Sequence, residues 1–339
     1  MDTNLSIPIV SVIMPVYNAG PFLKEAIDSI LQQSFTNFEF FIIDDASTDN
    51  SVSIINTYTD KRIQFIQKAK NTGYTDSLNM AIKSSKGKYI ARMDADDISY
   101  KDRFQRQYQY MEQHSDVMVL GAFYKIIGTD KVINLPLTCN EAKVVAIMHV
   151  PIAHPTAFIR SKVFKEYGLA YDKRYEPAED YDLWTKVLEI GSIENLPDVL
   201  LRYRRHSLQQ SIIRYNILID AAVEIRLRQL HKLITFENKP YDILSAIEIL
   251  TKKNGLVTTL LLKKIVSLLS DMYKSNQRKK IYDEVTLNKY LREVWLFYIF
   301  KFNKPVVKDI SLLYVTNLCK ITRMNSIFYL RFFKKVLLS

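Results

Sequence analysis

The first hundred residues alternate short apolar runs with amphipathic segments, and this order constrains the fold more than any other feature. Each apolar run has four to seven residues, which suits a strand and is too short for a helix. The predicted strands are Val10–Val16, Phe38–Ile43, Ile63–Ile66 and Tyr89–Met93. The predicted helices include Phe22–Leu31, a segment through Ile54 and Ile55 with cap candidates Ser47, Thr48 and Asp49, and a helix containing Leu78–Ile82. This alternation predicts an α/β fold whose mostly parallel sheet carries helices on both faces.

Acidic residues directly follow two of these strands. Asp44 and Asp45 end the second strand, and Asp94, Asp96 and Asp97 follow the fourth. Because ligands bind beyond the carboxyl ends of parallel strands, we expect both groups to share one cleft. Crowded carboxylates repel one another unless a cation neutralises them, and oxygen ligands suit Mg²⁺ or Mn²⁺. The alternatives are a solvated acidic loop, or caps on the helices that follow each group.

Beyond Gln113 the pattern becomes mixed and then purely helical. The next predicted elements are a helix at Arg103–Met111, a strand at Val117–Phe123, a hairpin around Gly128–Asp130, a helix at Tyr181–Glu189, and strands at Ile193–Leu196 and Val199–Tyr203. After Ile212 the predicted helices are 212–235, 241–253, 257–273, 283–300 and a further set to 338. We therefore expect an all-helical C-terminal region.

Charge and glycine both change near residue 210. Residues 1–210 carry 24 Lys and Arg against 26 Asp and Glu, whereas residues 211–339 carry 23 against 10. Of the eight glycines, only Gly255 follows residue 200. We predict a catalytic domain over 1–210 and a basic helical region over 211–339, which would associate with a membrane or an acceptor.

The basic region permits three interpretations. Residues 255–269, 293–302 and 327–338 combine apolar or aromatic side chains with Lys and Arg, which is typical of helices lying on an anionic membrane surface. The alternative is a helical subdomain packed on the catalytic domain. We favour this subdomain for the helices before Ile281, and we favour membrane contact for roughly the last forty residues. Nucleic-acid binding ranks third, because no reader motif accompanies the charge.

Compartment signals in the sequence are few. Cys139 and Cys319 lie far apart and have no metal-ligand spacing, which favours a reducing environment without disulfides. The N-terminus has no basic region followed by an apolar stretch, and no segment approaches 18 apolar residues in a row. We expect a cytoplasmic protein, peripheral at the inner face of the cell membrane if its basic region binds lipid.

Several motifs, in order along the chain, resemble one enzyme family. They are VSVIMPVYN at Val10–Asn18, AIDSILQQSF at Ala26–Phe35, FFIIDDASTD at Phe40–Asp49, Asn71-Thr72-Gly73 with Asn79, GKYI at Gly87–Ile90, ARMDADD at Ala91–Asp97, His154-Pro155-Thr156, Glu179-Asp180, and RYRRHSLQQS at Arg202–Ser211. Together they resemble the inverting family 2 glycosyltransferases, which have the GT-A fold. The resemblance covers roughly residues 8–211, and the tail matches no family.

The resemblance implies a hexosyltransferase-type enzyme that moves a sugar from a nucleotide-sugar donor, a UDP-sugar above all, to an acceptor hydroxyl. The residues it places at the donor nucleotide-sugar are Pro15, Tyr17, Asn18, Asp44, Asp45, Asn71, Gly73, Asn79, Asp94, Ala95 and His206. It places Mn²⁺ or Mg²⁺ on Asp96, with Asp94 and His206. The acceptor would be a saccharide or lipid-linked saccharide near His154, as in the synthesis of bacterial surface polysaccharides or glycolipids.

The same resemblance makes Asp180 the general base, with Glu179 beside it. An aspartate is ionised at neutral pH and so can take the proton of the attacking hydroxyl. The choice of Asp180 over Glu179 rests on motif register alone. Both also suit the first turn of a helix, where the helix dipole favours acidic residues. Arg92 either pairs with a nearby carboxylate or simply belongs to its strand.

Three other functions are weighed against this one. A sugar-phosphate nucleotidyltransferase predicts a glycine-rich loop near the N-terminus, which VIMPVYNAG lacks. A catalytically silent nucleotide-sugar-binding or scaffold protein is disfavoured by the presence of Asp96 and Asp180. A dinucleotide-dependent oxidoreductase is disfavoured because no G-x-G-x-x-G follows the first strand.

Overall fold

The computed structural model describes residues 7–207, 209–235 and 259–301. The chain divides into two compact units, of which the first comprises the described residues up to Ala142 together with His149–Ala222. The second comprises Lys143–Met148 and the described residues from Val223 onward. The domain boundary near residue 210 stays a prediction.

Nine strands of the described residues form one mixed sheet. They are β1 (Val10–Val16), β2 (Phe38–Asp44), β3 (Ile63–Gln67), β4 (Tyr89–Arg92), β5 (Ile98–Ser99), β6 (Val117–Ile126), β7 (Val132–Ile133), β8 (Phe158–Arg160) and β9 (Ser192–Tyr203). Their order is β3-β2-β1-β4-β8-β6-β9-β5, with β7 paired to β6. Strands β1 to β4 run parallel, as does β9 to β6, while β8, β5 and β7 pair antiparallel. The predicted α/β class is confirmed.

Side chains alternate between the two faces of this sheet. In β1, Val12 and Met14 enter one buried cluster, whereas Ile13 enters another. In β2, Phe40 belongs to the first cluster and Phe41 to the second. Because successive strand residues point to opposite faces, the two clusters are the cores on either side of the sheet. A strand buried on both faces reads as a continuous apolar run, which is why β1 and β2 are visible in the sequence.

Eleven helices accompany the strands in the described part of the chain. They are α1 (Gly20–Leu31), α2 (Ser51–Ile55), α3 (Tyr74–Ser84), α4 (Arg103–Gln113), α5 (Cys139–Val145), α6 (Lys162–Lys165), α7 (Glu179–Val187), α8 (Gln210–Ile213), α9 (Tyr215–Leu233), α10 (Thr259–Lys279) and α11 (Glu284–Lys301). Two 3₁₀ turns lie at His154–Thr156 and Lys173–Tyr175. Helix α1 begins with Pro21 in its first turn and buries Leu23, Ile27 and Ile30, which recur at helical spacing.

Two local predictions differ from the structure. The two strands expected at residues 193–196 and 199–203 are a single strand, β9, whose register against β6 shifts where Leu196 pairs with Ala122 and Val199 with Phe123. Pro197 lies at this irregularity, because proline has no N–H to donate to a ladder. The residue that precedes α2 is Asn50, whose side chain makes no capping bond, and of the expected cap residues only Asp49 accepts the Ser51 N–H.

The second unit has its own apolar core. Leu233, Ile265 and Leu269 are buried together with Leu291 and Trp295. The paired amide of Asn276 and backbone of Tyr282 close the turn between α10 and α11. In the described residues, no helix combines the length and apolar character needed to span a bilayer. The helix expected at 241–253, the segment 327–338 and most of the forty terminal residues lie outside the part that the structure describes.

Candidate active site

A cavity of about 690 Å³ opens where β1, β2 and β4 end. Tyr17 follows β1, Asp45 follows β2, and Asp94 follows β4, and all three line the cavity. These strands run parallel, so their carboxyl ends meet at one edge of the sheet. The expected shared cleft is therefore present in the first unit.

Most of the predicted site residues line this one cavity. They are Pro15, Tyr17, Asn18, Asp45, Asn71, Gly73, Asp94, Ala95, Asp96, His154, Glu179, Asp180 and His206. The tyrosine ring is 45% exposed and so remains available to a flat ligand such as a nucleotide base. Residues as distant in sequence as Pro15 and His206 thus contribute to a single surface.

Two predicted nucleotide-sugar residues are absent from the cavity wall. Asp44 is fully buried, and its Oδ2 accepts the N–H of Ser47 at 3.1 Å. Asn79 lies in α3, where its amide donates to the carbonyl of Tyr171 at 2.8 Å and accepts the N–H of the same residue. The Asn79 amide is thus occupied by the backbone, whereas Asp44 Oδ1 is buried and has no hydrogen-bond partner among the described residues. Neither side chain lines the cavity.

Asp45 anchors the loop that carries Asn71 and Gly73. Its two oxygens accept the N–H groups of Thr72 at 3.0 Å and Gly73 at 2.9 Å, and Lys68 lies 2.5 Å away. Asp45 and Lys68 are both almost fully buried. Asp45 therefore does not cap α2; it holds a second cavity wall against the end of β2.

The three aspartates after β4 form a compact acidic cluster. One oxygen of each of Asp94, Asp96 and Asp97 lies within 4.8 Å of the others. Burial and the negative charge of Asp94 raise the pKa of Asp96, and burial together with both neighbours raises that of Asp97 well above its usual range. Helix α4 begins only at Arg103, after Asp102, so the cluster does not cap it.

The cluster has the chemistry of a divalent-cation site. Asp96 Oδ2 lies 2.8 Å from Nε2 of His206, which comes from the segment after β9. Asp97 accepts the Arg204 N–H through Oδ1, while its buried Oδ2 has no hydrogen-bond partner among the described residues. Carboxylate oxygens with an adjacent imidazole suit Mn²⁺ or Mg²⁺, and a cation would offset the mutual repulsion that raises these pKa values.

Two buried guanidinium groups lie next to the cluster. Arg92, at the end of β4, forms an ion pair with Asp94 and lines the cavity. Arg103 is fully buried and donates to the carbonyls of Arg92 at 2.9 Å and Ala157 at 3.3 Å. The interpretation of Arg92 as the partner of a nearby carboxylate is confirmed.

Glu179 and Asp180 begin α7 and line the same cavity. Burial, followed by the charge of Asp180, raises the pKa of Glu179 to about 8, and burial raises the pKa of Asp180 to about 6. Tyr74 donates its hydroxyl to Glu179 Oε2 at 2.7 Å, whereas Asp180 Oδ1 accepts the N–H of its neighbour Tyr181 at 2.7 Å. At neutral pH Asp180 is the ionised member of the pair, and it is less buried than Glu179.

His154 lies beside this carboxylate pair and is uncharged. Burial and the charge of Arg92 lower its pKa well below the usual value. Its Nε2 is 2.8 Å from the Tyr171 hydroxyl, and its Nδ1 is 3.7 Å from Glu179 Oε1. The contact with Glu179 is therefore not an ion pair, and His154 can offer a neutral polar edge to the cavity.

Comparison with known proteins identifies the family. Residues 11–168 match the family model described as Glycosyl transferase family 2. An uncharacterized glycosyltransferase of Haemophilus influenzae is 34% identical over 223 residues, which cover 62% of this chain and 69% of that protein. The putative glycosyltransferase EpsE of Bacillus subtilis is 32% identical over 213 residues, which cover 59% of this chain and 74% of EpsE. The chain belongs to glycosyltransferase family 2.

Solved structures show the same fold in other glycosyltransferases. The S. aureus TarS 1–349 complex with UDP-GlcNAc matches with a TM-score of 0.59 and 18% identity, covering 86% of this chain and 92% of that one. The mannosyltransferase PcManGT from Pyrobaculum calidifontis, in complex with GDP-Man and Mn²⁺, matches with a TM-score of 0.51 and 15% identity, covering 95% and 88%. The GT-A fold expected from the sequence is confirmed.

The glycosyltransferase cavity also contains residues that the sequence motifs do not identify. Tyr74 supports Glu179, as described above. Arg214 Nη1 lies 2.6 Å from Glu176 Oε1, and Glu176 Oε2 accepts the Thr75 N–H at 3.3 Å. Because these partners are 38 and 101 residues apart, no local pattern could reveal them. The one sequence signal for Arg214 is its position three residues after the motif at Arg202–Ser211, which would place it near the site.

Proposed function

We propose that this family 2 glycosyltransferase transfers a sugar, with inversion, from a nucleoside-diphosphate sugar to an acceptor hydroxyl. The observation that carries the proposal is that one cavity holds both the acidic cluster with His206 and the ionised Asp180. Donor binding and proton removal can then occur within one cavity. The family assignment leaves a nucleotidyltransferase without support.

The donor would lie along the ends of β1, β2 and β4. Tyr17 offers an exposed ring to the base, and Pro15 and Asp45 lie beside it in the same wall. Asp94, which pairs with Arg92, would contact the ribose. Two structural neighbours are consistent with this chemistry, because TarS was solved in complex with UDP-GlcNAc and PcManGT in complex with GDP-Man. We expect a UDP-sugar to bind best.

Asp96, with Asp94 and His206, would hold Mn²⁺ or Mg²⁺. When bound, the ion would act as a Lewis acid toward the charge that develops on the departing diphosphate. The close packing of these carboxylates raises the pKa values of Asp96 and Asp97. A bound cation would offset the repulsion between them. PcManGT, a structural neighbour, contains Mn²⁺.

Asp180 would act as the general base. As the acceptor oxygen attacks the anomeric carbon, its proton passes to Asp180 and the bond from that carbon to the diphosphate oxygen breaks. A single displacement of this kind inverts the anomeric carbon and needs no covalent enzyme intermediate. Glu179 and His154 would contact the acceptor from the same wall. The proposed acceptor is a saccharide or a lipid-linked saccharide, as in the synthesis of a surface polysaccharide or glycolipid.

A donor screen followed by one substitution tests this function. Nucleotide-sugars are added with Mn²⁺, thermal shift selects the donor, and release of the nucleoside diphosphate is then measured. In Asp180→Asn we expect donor affinity within about twofold of the wild type and turnover lower by about 10²–10⁴, the usual contribution of a general base. Asp172→Asn is the matched control, since Asp172 contacts Arg174 outside the cavity.

Two results would contradict the proposal in different ways. Near-normal turnover in Asp180→Asn would place the base elsewhere. Tight donor binding by the wild type, without turnover for any acceptor, would instead favour a silent nucleotide-sugar-binding protein.

A further inference from the structure

Four large apolar side chains are exposed within six consecutive positions of the first unit. Ile212, Ile213, Tyr215 and Ile217 are each between 49% and 58% exposed. We call these four residues the 212–217 surface. Single exposed apolar residues are ordinary, but a contiguous group of large ones marks an interaction site.

The 212–217 surface lies on a segment that also forms part of the cavity wall. Gln209, Arg214 and Leu218, from the same stretch, line the cavity. The Gln209 carbonyl accepts the N–H groups of Ile212 and Ile213 at 2.9 Å, and the Arg214–Glu176 ion pair fixes the middle of the segment. One side of the segment is thus anchored at the active site, while the four apolar side chains remain exposed.

The chain around this surface is cationic. Residues 199–219 contain four arginines and no Asp or Glu. Arg204 and Arg214 pair with Glu25 and Glu176, whereas Arg202 and Arg205 are exposed and have no ion-pair partner among the described residues. Exposed apolar side chains that follow unpaired arginines within about fifteen residues of chain have the composition of an interfacial membrane segment.

We propose that the 212–217 surface binds an anionic lipid bilayer. The four apolar side chains would enter the boundary between headgroups and acyl chains, and Arg202 and Arg205 would meet the negative headgroups. A second copy of this chain fits less well, because a two-fold interface would place like-charged segments against each other. The inference goes beyond the proposed function, and it would bring the cavity to the surface of a membrane.

Vesicle flotation of the full-length chain tests the proposal. The protein is mixed with vesicles of phosphatidylcholine containing phosphatidylglycerol, or of phosphatidylcholine alone, at low and high salt. We expect binding to the anionic vesicles that weakens with salt. Combined Ile212→Ser, Ile213→Ser, Tyr215→Ser and Ile217→Ser should reduce binding roughly tenfold or more, because these side chains lose their apolar burial in lipid.

A second variant and a matched control separate charge from apolar contact. Arg202→Gln with Arg205→Gln should remove most of the preference for anionic vesicles and the salt dependence. Leu137→Ser with Tyr167→Ser changes two other large residues that are 41% and 46% exposed, and it should bind like the wild type. Melting temperatures of all variants should agree within a few degrees, which shows that each one folds.

Three outcomes would overturn the proposal. The first is unchanged flotation of the fourfold serine variant, and the second is an equal loss of flotation in the control variant. The third is a concentration-dependent dimer that the fourfold serine substitution abolishes. That result would assign the surface to a second copy of the chain. Donor turnover without vesicles, measured in the same variants, reports separately on the proposed function.

Discussion

At the scale of single residues, neighbouring carboxylates acquire different properties from their surroundings. Glu179 is buried and receives the Tyr74 hydroxyl, and its pKa rises to about 8. Asp180, next in the chain, faces the cavity and has a pKa of about 6. The sequence identifies the pair by its motif, but deeper burial and the neighbouring charge of Asp180 keep Glu179 protonated at neutral pH, although the Tyr74 hydrogen bond opposes this by lowering its pKa.

If Asp180 is the general base, its raised pKa predicts an acid limit for turnover. A general base must be deprotonated, so activity should be lost as the pH falls through about 6, and an ordinary aspartate would allow activity to persist about two pH units lower. The measurement is kcat/KM for the donor against pH at saturating metal. A profile that remains flat down to pH 4.5 would argue against Asp180 as the base.

Arg92 should influence both donor and base. Its positive charge pairs with Asp94 and lowers the pKa of Asp180 from the value that burial alone would give. In Arg92→Met we therefore expect a donor KM about tenfold higher, as for loss of one charge-assisted contact, and an acid limit moved toward pH 7. Arg92→Lys should restore much of the pH profile. If the acid limit of Arg92→Met is the same as that of the wild type, Arg92 does not influence the base and has only a structural role.

At the scale of elements, the sequence is most informative where one element alone determines the pattern. Strands β1, β2, β3 and β4 are readable because each is a short, mostly apolar run, and the acidic groups after β2 and β4 then locate the cleft. The two-residue strands β5 and β7 carry no such signal. The sequence predicts two strands where the structure has the single strand β9, because Pro197 interrupts the apolar run without ending the strand.

Contacts between elements explain what the sequence could not show. Asp44 and Asp45 are equivalent in the motif, yet β2 turns one toward Ser47 and the other toward the loop at Thr72 and Gly73. Asn79 belongs to a recognisable motif, but its partner Tyr171 is 92 residues away. The wall formed by Glu176 and Arg214 likewise depends on tertiary packing.

Lys68 should stabilise the loop that Asp45 anchors. It follows β3, lies 2.5 Å from Asp45, and donates to the hydroxyl of Ser77 in α3 at 3.1 Å. Lys68→Met leaves a buried carboxylate without its cation, which costs about 3–5 kcal/mol in comparable pairs. We expect a clearly lower midpoint in urea unfolding and weaker donor binding. Lys88→Met, which breaks an exposed pair with Glu112, is the control and should cost under about 1 kcal/mol. Equal midpoints for both variants would contradict the role assigned to Lys68.

At the scale of the whole molecule, the described chain forms two units with separate apolar cores, and all cavity residues belong to the first. The change in charge near residue 210 predicts a domain boundary in this part of the chain, but it does not show where one compact unit ends and the next begins. The division found in the structure falls within α9, since a helix can continue from one compact unit into the next.

Chelation should separate activity from folding. If Asp96 and its neighbours hold a divalent ion, EDTA should abolish donor turnover, and Mn²⁺ or Mg²⁺ should restore it. The melting temperature of the ligand-free protein should change by only a few degrees, because the ion binds a cavity wall rather than the core. Full turnover with chelator present would refute the metal assignment. Asp96→Ala should reproduce the effect of EDTA without unfolding the chain.

The buried guanidinium of Arg103 is one reason to expect that the fold survives removal of the ion. Burial and the charge of Arg92 lower the pKa of Arg103 to about 9, while Asp97 opposes this shift, so Arg103 is still positively charged at neutral pH. A positive charge that interacts with Asp97 is therefore present before any cation binds. If the ion leaves with the nucleoside diphosphate, as proposed, we expect this charge to limit the repulsion among the carboxylates until the next donor binds.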